Sequence, residues 1–203
     1  VIVSNEKLAE LVYKSNKNVH VVPNGLPFGL GQFNDEKIKS DKIRIFWCGG
    51  SSHEDDIKIL ENPIKRLDSY HNKIKMVIGG YRASHEYEGQ VWSNMVNCFT
   101  NRRKLPHDVY GALTPESYMQ LYDHADICLI PLAKGEWHSY KSNLKVLEAA
   151  CKKIPVIVSN VEPYNIDKDA PILWVNKQSD WHKHIKNLIH NDKERKKIGE
   201  QLY

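Results

Sequence analysis

The chain has 203 residues, with 29 Lys and Arg against 25 Asp and Glu for a net charge of +4. That length suits one α/β domain or slightly more. A membrane-spanning helix needs about eighteen consecutive apolar residues, and no such run is present. The modest positive balance fits a phosphate-bearing ligand or an anionic lipid surface, and it falls short of a nucleic-acid signature.

The opening VIVSNEKLAE lacks the basic start and small-residue cleavage site of a secretory signal. Its first residue is valine, so a fragment or processed product is expected. Cys48, Cys98, Cys128 and Cys151 form no Cys-x-x-Cys pair, which points to free thiols in a reducing, cytoplasmic compartment. His182 and His184 are two apart, with His190 beyond. Side chains two apart on a helix do not share a face, so no metal site is expected.

In chain order, residues 1–4 read as an apolar strand end. Asn5 can cap the helix that follows, whose stripe is Leu8, Leu11 and Val12. Val19-His20-Val21-Val22 is a further strand, closed by the turn Pro23-Asn24-Gly25. Residues 26–42 have no periodicity and read as an interdomain linker. The expected division is therefore the edge of one domain over 1–25 and a whole second domain over 43–203.

Ile43-Arg44-Ile45-Phe46-Trp47-Cys48 is the first strand of that main domain, ended by Gly49-Gly50-Ser51-Ser52. Two glycines after a strand let backbone approach a ligand closely, although the spacing is not that of the dinucleotide fingerprint. Ile57, Leu60, Ile64 and Leu67 form the buried stripe of the next helix, with a kink at Pro63. Ile74-Lys75-Met76-Val77-Ile78 is the second strand and again ends in two glycines. Trp92, Met95, Val96 and Phe99 fall at helical spacing and read as core. Arg102-Arg103-Lys104 is a solvated face or a contact for anionic lipid or acceptor. Thr114-Pro115 opens a helix with Tyr118, Leu121, Tyr122 and Ala125 inward.

The most informative stretch runs over residues 125–160. Ile127-Cys128-Leu129-Ile130 is a buried strand stopped by Pro131. A polar loop leads to a helix with Leu144, Leu147, Glu148 and Cys151 in phase, and Pro155-Val156-Ile157-Val158-Ser159 resumes as a strand. This is a βαβ unit, whose loop lies at the carboxyl edge of a parallel sheet, where ligands bind. With Ser142 as N-cap, the free N–H groups of Asn143, Leu144 and Lys145 favour an anion, and Lys141 and Lys145 add charge. Glu148 shares their face and suits ribose hydroxyls. The same spacing also fits a surface helix with an i,i+3 Lys–Glu pair, worth a few tenths of a kcal/mol. Pro171-Ile172-Leu173-Trp174-Val175 is the last strand. A helix opened by Ser179 follows, with Trp181, Ile185, Leu188 and Ile189 inward. The charged helix over 192–203 turns Ile198 and Leu202 inward. The alternation predicts a doubly wound, Rossmann-like parallel α/β sheet of about six strands.

The runs DICLIPL, KSNLKVLEAA and PVIVSNVEPY resemble the donor-binding, C-terminal half of GT-B retaining glycosyltransferases, the group called family four. WCGGSSHEDDI is similar to the Gly-Gly-x-Ser-His-x-x-Asp opening of some of those domains. The resemblance implies that Asn143, Leu144 and Lys145 contact a donor diphosphate and that Glu148 holds the ribose. It makes Lys145 and Glu148 the expected catalytic pair. Gly49, Gly50, Ser52, His53, Lys141 and Ser142 are the implied neighbours of the donor, and Tyr110 and Gly111 lie on the base side. Many members carry a second glutamate eight positions before the first. This chain has Tyr140 there, with Glu136 four residues earlier as a substitute.

The implied activity is transfer of a hexose from a UDP- or GDP-sugar to an acceptor, with retention. The nucleotide sugar is a co-substrate, and neither a metal nor a cofactor is expected. The acceptor, a glycan, lipid or other molecule, would come from the N-terminal domain. Peripheral membrane contact fits the charge, and nucleic acid does not. A nucleotide-sugar epimerase on the same fold and a non-catalytic, transferase-like subunit are the alternatives.

Overall fold

The computed structural model describes residues 1–166 and 168–203. The chain starts with β1 (Ile2–Val3), α1 (Glu6–Val12) and β2 (His20–Val21). The two strands pair in parallel around Val3, Ala9 and Val19. Asn5 caps α1, its Oδ1 accepting the Leu8 N–H at 2.8 Å. Leu11 is exposed, contrary to the sequence reading, and Ala9 takes the inward place. Seven helical residues can bury only one narrow stripe.

Residues 26–42 hold one short 3-10 turn, Gly31–Phe33, and are laid against the main domain. Leu26, Phe28 and Phe33 pack on its core, and the Ile38 N–H bonds to the Asp123 carbonyl at 3.0 Å. The segment lacks periodicity because it wraps a surface as an extended strap.

The main domain runs β3 (Ile43–Cys48), α2 (Glu54–Lys58), α3 (Glu61–Lys65), β4 (Ile74–Tyr81), α4 (Glu86–Phe99), β5 (His107–Gly111) and β6 (Ile127–Ile130). Then come α5 (Glu136–Ser139), α6 (Leu144–Cys151), β7 (Val156–Ser159), β8 (Leu173–Val175), α7 (Gln178–His190) and α8 (Asp192–Leu202). The six strands β3–β8 form one parallel sheet in the order β5-β4-β3-β6-β7-β8. The order reverses between β3 and β6, and such a switch point opens a crevice at the carboxyl ends of the strands.

Alternate residues of β3 feed opposite faces, as strand geometry requires. Ile45 and Trp47 join Ile57, Leu60, Trp92, Phe99, Trp181 and Leu188 on one side, while Phe46 joins Tyr122, Cys128, Val146 and Ala149 on the other. Both faces are covered, which is why the central strands read as unbroken apolar runs.

Three local expectations change. The helix after β3 breaks in two near Ile59, because the Pro63 ring clashes with the carbonyl four residues back. Tyr118–His124 is a 3-10 helix, whose threefold repeat puts Met119, Tyr122 and Ala125 on one buried face. The helix α7 starts at Gln178, and Asp180 Oδ2 accepts the N–H groups of Asn176 and Lys177 at 3.1 Å each. Among the described residues no helix is long and apolar enough to cross a membrane.

Candidate functional site: the switch point beside the start of α6

Beside the switch point, glycine backbone lines the carboxyl ends of β3 and β4. At Gly80, φ is +95°, and a Cβ there would sit 2.4 Å from the Gly49 carbonyl oxygen, so only glycine lets the ends of β3 and β4 come this close. Gly50 is exposed, with open space above its Cα, and Ser52 beside it is exposed as well. The backbone past β3 is thus bare enough for a ligand to lie on.

His53 turns back over this backbone. Its Nδ1 lies 2.6 Å from Asp56 Oδ2, one helical turn on. Asp56 is 1% exposed and gathers several partners. Its Oδ1 accepts the Ala133 N–H at 2.7 Å, with His138 Nε2 at 3.7 Å, and Lys141 Nζ lies 3.9 Å from Oδ2. Burial opposes ionisation of Asp56, but the bonds from His53 and Ala133 outweigh it and hold the carboxyl below its ordinary range. An ionised carboxylate only accepts, so Nδ1 of His53 carries the proton in this pair. The Asp56 bond raises the His53 pKa, yet burial and the charges of Lys145 and Lys141 prevail and leave it below the ordinary histidine value. Lys141 is likewise pushed down, mainly by burial.

The helix α6 approaches from the other side of the switch point. Its first helical residue is Leu144, and the capping place belongs to Asn143, which makes no side-chain cap. Ser142 is therefore not the N-cap. Its Oγ instead accepts a bond from Asn24 Nδ2 at 2.8 Å. The amide expectation is unaffected: among the described residues the N–H groups of Asn143, Leu144 and Lys145 find no backbone acceptor. Such unpaired donors at a helix start, with its partial positive charge, form an anion site.

Lys145, Glu148 and Glu136 near this start each have a partner as well. Lys145 Nζ donates to the Cys48 carbonyl at the end of β3 and lies 5.7 Å from the Trp47 ring centroid. Glu148 is buried, and its Oε2 accepts the Tyr122 hydroxyl at 2.6 Å. Tyr122 and Tyr118 have hydroxyls pushed upward, first by burial and then by the Glu148 charge. Tyr140 donates to Glu136 Oε1 at 3.1 Å.

Tyr110 and Gly111, the residues expected on the base side, end β5 beside Gly79 and Tyr81 of β4. The Tyr110 ring stacks on His124 with centroids 4.4 Å apart, so its side chain is spent on the protein and only the backbone near Gly111 is open. Sequence reasoning gave no site role to His138 or to the inward Tyr122, and it held Asp56 only as the closing Asp of the Gly-Gly-x-Ser-His-x-x-Asp pattern. The available signal was the i,i+3 spacing of His53 and Asp56 ahead of apolar Ile57.

A doubly wound parallel sheet with free helix-start amides at its switch point is a Rossmann-like domain. The model of the glycosyl transferase-like family matches residues 59–203. The chain belongs to that family, and its fold is that of the GT-B glycosyltransferases. Among solved structures, TarM superimposes with a TM-score of 0.71 at 15% identity, covering 100% of this chain and 39% of that one. The trehalose-6-phosphate synthase OtsA gives 0.67 at 14% identity, covering 99% and 54%. A mutant of TarM from S. aureus, in complex with Fondaparinux, alpha-GlcNAc-glycerol and UDP, gives 0.68 at 15% identity, covering 100% and 39%. The chain thus spans 39% to 54% of the length of these structures. No curated protein sequence matches it.

Proposed function

We propose that this chain is the donor-binding half of a retaining hexosyltransferase that uses a UDP- or GDP-sugar. The observation that carries the reading is the set of unpaired N–H groups at Asn143, Leu144 and Lys145, flanked by Lys141 and Lys145, at the switch point of the sheet. A diphosphate leaving a sugar develops negative charge, and preorganised donors aimed at it are the strongest means of lowering that barrier. Lys145 would leave the Cys48 carbonyl for the phosphates. Glu148, held by Tyr122, would accept from the ribose, and Glu136 beside Tyr140 would face the sugar. The backbone after Tyr110 and Gly111 would read the base. Retention is part of the proposal and rests on the resemblance to the retaining GT-B group.

In this reading residues 1–25 belong to the acceptor domain, which presents the glycan, lipid or other acceptor across the cleft. The exposed run Arg102-Arg103-Lys104 offers peripheral contact with an anionic membrane on the cytoplasmic side.

The test is calorimetric titration of the chain with UDP, GDP and ADP, beside the Glu148→Ala variant. One diphosphate should bind selectively, and the variant should weaken it at least about tenfold, the worth of a hydrogen bond to a charged group. Absence of binding to all three would overturn the reading. Incubation with a UDP-sugar alone should leave the sugar unchanged, whereas isomerisation would convert the proposal to an epimerase.

A further inference from the structure

The segment from Glu136 to Cys151, EWHSYKSNLKVLEAAC, contains neither proline nor glycine. No helix breaker therefore obliges it to stop between α5 and α6, and Ser142 and Asn143 only favour a new start there. It does stop, however. In a continuous helix the Leu144 N–H would bond to the Tyr140 carbonyl and the Lys145 N–H to the Lys141 carbonyl. Neither bond is formed.

Both carbonyls are held by a residue far away in the chain. Asn5 Nδ2 donates to the Tyr140 oxygen at 3.1 Å and to the Lys141 oxygen at 2.9 Å. Asn5 is only 8% exposed, and its Oδ1 is already committed to the Leu8 N–H. That pattern fixes which end of the amide faces the carbonyls, since only the nitrogen can donate to two of them. Asn24 of the same N-terminal segment grips the next residue through Ser142 Oγ. Three consecutive loop residues are thus held by two asparagines from outside the main domain.

We propose that Asn5 is a positioning residue for the anion site. By holding the Tyr140 and Lys141 carbonyls it stops α6 from winding back into α5, and so keeps the Leu144 and Lys145 amides free for a diphosphate. The diphosphate clause rests on the donor-site reading above.

The test uses the whole chain and its Asn5→Ser variant, because serine still caps α1 but cannot reach both carbonyls. Hydrogen exchange at the Leu144 and Lys145 amides should slow at least about tenfold in the variant as they enter helical bonds. Affinity for whichever of UDP or GDP the wild type binds should fall roughly tenfold, for the lost pre-organisation of donors. A loss of melting temperature with unchanged exchange and affinity would overturn the proposal and leave Asn5 as a cap alone. Should the wild type bind neither diphosphate, the donor reading falls, and unchanged exchange would still refute the role of Asn5 independently. Asn24→Ala, which leaves the Asn5 bonds in place, should alter exchange at these two amides much less than Asn5→Ser does.

Discussion

At the amino edge of the sheet, Arg44 places Nε 2.9 Å and Nη2 3.1 Å from the Asp126 carboxylate, and its Nη1 bonds to the Asp123 carbonyl at 3.1 Å. Lys152, 1% exposed, meets Asp123 at 2.6 Å. At the carboxyl edge the matching is looser. Lys141 stands 3.9 Å from Asp56, His138 Nδ1 is buried without a partner among the described residues, and the first amides of α6 are unpaired. Both edges bury charge, and each holds one buried side-chain atom without a hydrogen bond among the described residues, Asp123 Oδ1 and His138 Nδ1. Asp123 Oδ1 has the Lys152 ammonium beside it, whereas the carboxyl edge also leaves backbone donors free. A buried polar group without a partner costs free energy, so the carboxyl edge is where a ligand gains most.

The comparison breaks most sharply at Arg44. Truncating Arg44 removes its guanidinium bonds to the part-buried Asp126 and to the Asp123 carbonyl, at a cost of about 3 kcal/mol, although Asp126 keeps the backbone N–H of residue 44. Arg44→Ala should therefore lose about that much stability in urea denaturation, while diphosphate affinity in the surviving folded protein stays within about twofold. A large loss of affinity with intact stability would mean that the two edges are not independent.

Asp56 should behave differently, since it belongs to the carboxyl edge. Asp56→Ala leaves the Ala133 N–H without an acceptor and frees His53, so about 2 kcal/mol of stability should go. Affinity should fall with it, because His53 and Lys141 lose the carboxylate that orients them. Asp56→Asn keeps an acceptor for Ala133 and should restore most of the stability but not the affinity. Equal recovery of both would reduce Asp56 to a structural role.

These two edges were not equally legible. The strands and the stripes Ile57/Leu60/Ile64/Leu67 and Trp92/Met95/Val96/Phe99 could be read because burial imposes a period on neighbouring residues. The helix start near Lys141–Lys145 could be read because its chemistry lies within one short run. Asp56 was legible only as the closing place of the Gly-Gly-x-Ser-His-x-x-Asp pattern, because within Glu54-Asp55-Asp56 nothing local separates the buried acid from its neighbours. The grip of Asn5 on Tyr140 and Lys141 spans 135 and 136 positions, and no local pattern announces it. The 3-10 winding of Tyr118–His124 was hidden too, since inward residues three apart suit either helix.

The smallest effect separates the edges by pH. His53 at the carboxyl edge and His124 at the amino edge both have pKa values below the ordinary 6.5, though for different reasons. At His53 the Asp56 bond pulls upward and is outweighed by burial and by Lys145 and Lys141. At His124 burial leads, with Arg44 adding to it. A histidine depressed in the folded state binds its proton more readily once unfolded, so stability should decline as pH falls below 6.5. The carboxylate of Asp56, held below its ordinary 3.8, stays charged through that window. His53→Gln and His124→Gln should each flatten the decline measured by denaturation between about pH 7 and 5. A bound diphosphate adds negative charge near His53 only, raising its pKa and removing its share of the decline, while the share of His124 persists. If the ligand instead abolished the slope in His53→Gln, the anion would be acting at the amino edge, and the division between the two edges would fail.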